Sequence, residues 1–95
     1  MKLGNAAPAP GDSYATANFK KAMMTMMNKA PAFTNDADVD FMMQMRGHHQ
    51  SAIAMAEVEL SKGQDPEARA LAKSIIDAQK AEIEQIGTWL QKTAR

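Results

Sequence analysis

The 95-residue chain contains no cysteine, which excludes disulfide bonds, thiol catalysis and cysteine-ligated zinc or iron–sulfur sites. It also lacks an excess of either charge, because 11 basic residues balance 11 acidic ones, and no basic cluster suggests a nucleic-acid partner. No apolar run approaches the ~18–20 residues that span a bilayer. We therefore predict one small domain without a membrane span.

Residues 1–13 are rich in alanine, proline and glycine and lack the apolar stretch of an intact secretory signal. We predict a disordered lead-in over residues 1–13 and a single helical domain over residues 14–95.

Apolar residues recur at helical spacing in three segments, and no alternating strand pattern occurs. Start and stop signals flank these segments, namely Asp12 or Ser13, Pro31, Asp36, Lys62-Gly63 and Asp65-Pro66, and the third helix is expected to end near Lys92. Because short connections make neighbouring helices antiparallel, we predict an all-α, three-helix up-down-up bundle. Three helices leave apolar surface uncovered, so a homodimer is one expected completion of the fold.

Methionine is unusually frequent, with nine in the chain, and its positions are informative. At ~100° per residue, one side of the first helix carries Met23, Met26 and Met27. An arc of about 160° on the second helix carries Met42, Met45, His48, His49 and Met55 with Phe41, while Met43, Gly47 and Ala54 are assigned to the outer side.

The mixture of imidazole nitrogen and thioether sulfur predicts a particular chemistry. Thioethers are soft ligands that suit Cu(I) or Ag(I) and bind Zn²⁺ or Mg²⁺ poorly. We predict that the metal ligands come from Met23, Met26, Met27, Met42, Met45, His48, His49 and Met55, and the sequence does not determine how many ions bind. Gln79 and Glu82 interrupt the apolar stripe of the third helix, where Leu71 also lies, and are expected to orient a metal-bound imidazole.

Other interpretations of the same residues stay open. Methionine fills irregular gaps in ordinary cores, and an inward histidine is often a hydrogen-bonded core residue. Glu82 would then lie at the helix edge and reach solvent. A methionine-rich surface can also dock a partner protein without any metal. An enzyme that uses His48 or His49 as a base ranks last, because no nucleophile or substrate pocket is suggested.

Several blocks of the sequence resemble the DUF305 family over roughly residues 36–90: Asp38-Val39-Asp40-Phe41, Met45-x-x-His48-His49-Gln50, Asp65-Pro66-Glu67 and Gln79-x-x-Glu82-Ile83. The resemblance implies a ferritin-like helical fold, export by bacteria, and copper binding or copper resistance. It gives Met45, His48, His49 and Met55 the family's methionine and paired-histidine positions, and Gln79 and Glu82 its polar pair.

The chain departs from that family pattern at Arg46-Gly47, where members usually have Ile-Pro, and at Ile86, where a methionine is common. Its first helix has methionines and no histidine, which makes the ligand set richer in sulfur and favours Cu(I) over Cu(II). We therefore expect a periplasmic or exported copper-binding protein that is a buffer, chaperone or resistance factor and not an enzyme. Its partners would be the metal ion and a copper donor or acceptor protein.

Overall fold

A computed structural model describes residues 7–93, which form three α-helices and no β-strand. The helices are α1 (Tyr14–Asn28), α2 (Ala37–Lys62) and α3 (Pro66–Thr93). The first six residues of the predicted lead-in lie outside the described residues. Within residues 7–93, no helix is both long enough and apolar enough to cross a membrane.

Each helix begins at a polar side chain that accepts a hydrogen bond from the first turn. Ser13 Oγ accepts from the Thr16 backbone N–H at 3.1 Å, and Asp36 and Asp65 cap α2 and α3 in the same way. These contacts satisfy backbone donors that have no partner within the helix. The helix starts predicted from the sequence are therefore confirmed.

Asp12, the other residue predicted as a cap for α1, has a different role. Its carboxylate accepts a hydrogen bond from the Ala9 backbone N–H at 2.7 Å and pairs with Lys20 at 2.9 Å. The Ala9 hydrogen bond first, and Lys20 second, hold the pKa of Asp12 below its ordinary value. Asp12 thus closes the turn that leads into α1.

Contacts at the helix ends show that neighbouring helices are antiparallel, in an up-down-up order. At the α2–α3 turn, Arg69 Nη1 donates to the Leu60 and Gly63 carbonyl oxygens at 2.7 and 3.1 Å. On the other side, Lys62 Nζ lies 4.7 Å from the centre of the Tyr14 ring, which joins the end of α2 to the start of α1. The all-α, three-helix up-down-up fold is therefore confirmed.

The three helices form a single layer with α2 in the middle. The protein measures 46 × 30 × 15 Å, and α1 and α3 each pack on α2 while making almost no contact with each other. The α3 helix covers the side of α2 that carries Ala56, and α1 covers the side that carries Gly47 and Ala54. At ~100° per residue these two sides lie nearly opposite each other.

This arrangement corrects several predicted positions. Phe41, His48 and Met55 of α2 and Leu71 of α3 were predicted to point inward, but all four are exposed. The reason is that α3 covers only one half of the apolar arc of α2, and α1 packs on the side predicted to be outer. Among residues 7–93, the buried hydrophobic residues are Ala56, Ala72 and Ile86.

Candidate metal centre

The contact between α2 and α3 is organised around His49 and Glu82. His49 Nε2 lies 2.8 Å from Glu82 Oε2, and the histidine side chain is only 15% exposed while the glutamate side chain is 51% exposed. The two residues come from the middles of their helices, where the antiparallel register places them at the same level. A carboxylate partner fixes the orientation of the imidazole ring and leaves Nδ1 as the nitrogen that an ion could use.

Two methionines lie on the same side of α2 as His49. Met45 precedes His49 by four residues and Met42 precedes it by seven, so all three side chains project towards the α3 side. Both methionines are partly buried in the structure. The arrangement combines two thioethers, one imidazole and a carboxylate that holds the imidazole.

Gln79 has a different environment from the one predicted. It lies one turn before Glu82 on α3, and its Oε1 atom is buried without a hydrogen-bond partner among the described residues. The imidazole partner is Glu82 instead. An unpaired buried amide oxygen costs free energy, and polar groups left in this state deserve a functional explanation.

A second group of predicted ligands lies around the contact between α1 and α2. An open cavity of about 620 Å³ between α1 and α2 is lined by Met26, Met27 and His48, among other residues. Gln44 Nε2 donates to the Pro31 carbonyl oxygen at 2.9 Å. This hydrogen bond holds the segment that follows α1 beside this part of α2, which explains the grouping. His48 and His49 are neighbours in sequence, yet they point about 100° apart.

The structure therefore divides the eight predicted ligands. Met42, Met45 and His49 face α3, whereas Met26, Met27 and His48 line the α1–α2 cavity. Met23 is partly buried on α1, and Met55 is exposed at 42%. In the structure these eight residues do not form one cluster.

Sequence reasoning missed the small and polar residues of α2 that line the α1–α2 cavity, Gly47, Ser51 and Ala54 with Gln44. The sequence feature that could have identified them is a run of small side chains at helical spacing, because small side chains allow a neighbouring helix to approach. Across residues 7–93, no three histidine, aspartate or glutamate side chains gather closely enough to hold a metal ion.

Comparison with known proteins adds one match. The sequence model of a family described as "Domain of unknown function (DUF305)" matches residues 4–90. No curated protein matches the chain. The match covers nearly the whole chain, including both histidines, every methionine after residue 4 and the Gln79–Glu82 pair.

Proposed function

The chain belongs to the DUF305 family, and from this premise we propose that it binds Cu(I), with Ag(I) as a substitute, through thioether and imidazole ligands. The observation that carries the proposal is the 2.8 Å contact between His49 and Glu82, beside Met42 and Met45 on the same side of α2. We further propose a periplasmic or exported buffer, chaperone or resistance factor that passes the ion to a partner protein and catalyses no reaction.

The donor set supports a soft ion. Thioether sulfur is neutral and polarisable, so it contributes little to binding Zn²⁺ or Mg²⁺ and much to binding Cu(I). One imidazole with two thioethers would provide three ligands, which suits a low-coordinate ion. Met42 and Met45 have long unbranched side chains that adapt to the position of an ion more readily than branched residues do.

Glu82 would act on the ion through the imidazole of His49. When its carboxylate accepts a hydrogen bond from the Nε2–H group, the neutral ring presents Nδ1 as a ligand and cannot rotate freely. Because the Glu82 side chain is half exposed, its contribution to folding stability is small. Its main effect would be on the geometry and basicity of the histidine.

Titration of the whole protein with Cu(I) under anaerobic conditions, against a competing chelator, tests the proposal. We expect Cu(I) binding that is far tighter than Zn²⁺ binding under the same conditions. Zinc binding as tight as Cu(I) binding would contradict the choice of ligands. Absence of Cu(I) binding would overturn the proposal and favour the alternative, a methionine-rich helical module that docks a partner protein without metal.

A further inference from the structure

One face of the helical layer carries exposed apolar side chains that no other helix covers, and the half-exposed Glu82 lies on the same face. Phe41, His48 and Met55 follow one another at intervals of seven residues along α2, and all three are exposed, Phe41 by 62% and Met55 by 42%. On α3, Leu71 is 60% exposed, and the antiparallel register at ~100° per residue puts it on the same face of the layer. We call these four residues the open face.

The opposite face of the layer has a different composition. Its exposed residues are polar or charged and include Gln50 and Glu57 of α2 and Lys73 and Lys80 of α3. The layer is therefore amphipathic across its 15 Å thickness. Large apolar side chains gathered on one face mark an interaction surface, since exposed apolar residues on a monomer are usually scattered.

The described part of the chain also buries very little by itself. Only two alanines and one isoleucine among residues 7–93 are buried, whereas a helical domain normally buries a row of large side chains from each helix. A single layer of helices cannot enclose a core, because domains are built from at least two packed layers. The described residues therefore leave this face without a second layer.

We infer that a second copy of this chain supplies the second layer, packing open face against open face about a two-fold axis. The size of the face supports this occupant. The 26 residues of α2 extend about 39 Å, and α2 and α3 side by side are about 20 Å wide. The outline of the two helices, ~800 Å² per copy, is comparable with the area that each partner buries in a standard stable interface.

The pattern of residues along α2 is complementary to itself. When the two-fold axis crosses α2 at His48, each α2 packs antiparallel on its copy, and Phe41 faces Met55 of the second copy. The seven-residue interval is the repeat of a helix–helix seam. An unrelated partner would have to reproduce this repeat.

The dimer gives His48 a position that the monomer does not provide. The two His48 side chains meet at the axis, so that each copy contributes a residue to the mouth of the other copy's α1–α2 cavity. The dimer is inferred from the open face alone and does not depend on the proposed function.

Analytical ultracentrifugation of the full chain, with a chelator present, tests the inference. We expect a dimer at micromolar concentration, and Met55→Glu should raise the dimer dissociation constant at least ~30-fold, as charge at a central apolar contact does. Gln50→Glu, on the polar face of the same helix, is the matched control and should leave the dimer unchanged. A monomer at every concentration, or equal loss in both variants, would overturn the inference.

Cross-linking gives a second test that does not depend on a destabilising charge. Because the chain has no cysteine, His48→Cys and Gln50→Cys each introduce a single thiol. A short bismaleimide should cross-link the His48→Cys protein to covalent dimers, and should cross-link the Gln50→Cys protein at least tenfold less. Equal cross-linking of the two variants would show that the open face is not the interface.

Discussion

His49 and Glu82 are 33 residues apart in sequence, and a 2.8 Å contact joins them across the interface between α2 and α3. Their positions at the middle of each helix make the contact the one polar link that the structure shows between the helix centres within residues 7–93. A half-exposed carboxylate there adds little to stability, yet it determines the orientation of the imidazole. The first prediction follows from this distinction.

Replacing Glu82 should weaken Cu(I) binding more than it weakens the fold. We expect Glu82→Ala to lower Cu(I) affinity by ~10–100-fold, because loss of the group that orients a ligating histidine typically has this effect. Glu82→Gln keeps an acceptor oxygen and should have a smaller effect. Competition with a Cu(I) chelator measures the change, and Glu84→Ala, an exposed neighbour, is the control. Equal affinities for Glu82→Ala and Glu84→Ala would remove Glu82 from the site.

Replacing Arg69 should have the opposite outcome. The protein should lose folding stability while its affinity for Cu(I) stays unchanged. Its guanidinium donates to two carbonyl oxygens at the end of α2, and hydrogen bonds from charged groups contribute more than neutral ones. We expect Arg69→Ala to lower the free energy of unfolding by ~1–3 kcal/mol. Urea denaturation of the apo protein measures this loss. Lys73→Ala, one turn later and exposed, should change stability by less than ~0.5 kcal/mol.

The sequence predicted the local parts of this structure well. Caps such as Asp36 and Asp65 act through residues three positions away, so their effect is visible in a short window of sequence. The side of α2 that receives α1 was predicted wrongly, because helical periodicity identifies apolar arcs and does not identify small-residue surfaces such as Gly47 and Ala54. Whether Glu82 or Gln79 pairs with His49 depends on the relative register of α2 and α3, and helical periodicity does not determine that register.

Met45 is predicted to contribute sulfur to the ion, and Met43 is the matched control on the same helix. Met→Leu removes the thioether while largely keeping volume and helix propensity, at a cost usually below ~1.5 kcal/mol. We expect Met45→Leu to lower Cu(I) affinity at least tenfold and Met43→Leu, which lies away from the α3 side, to change it by less than threefold. Both variants should keep the helical circular dichroism of the parent. Similar losses in both variants would indicate general packing and not ligation.

The last prediction concerns the division of the ligands by α2. Because Met45 and His49 face α3 while Met27 and His48 line the α1–α2 cavity, substitutions in one group should not alter the chemistry of the other. We expect Met27→Leu to leave the affinity at the His49 site unchanged. The Met27→Leu/Met45→Leu double variant should then equal the sum of the single effects within ~0.5 kcal/mol, as independent positions do. Titration with Ag(I), followed by the NMR signals of the methionine methyl groups, assigns each effect to its group. A coupling larger than this, or one ion that shifts the methyl signals of both groups together, would mean that the two groups share a single site and that α2 moves when the ion binds.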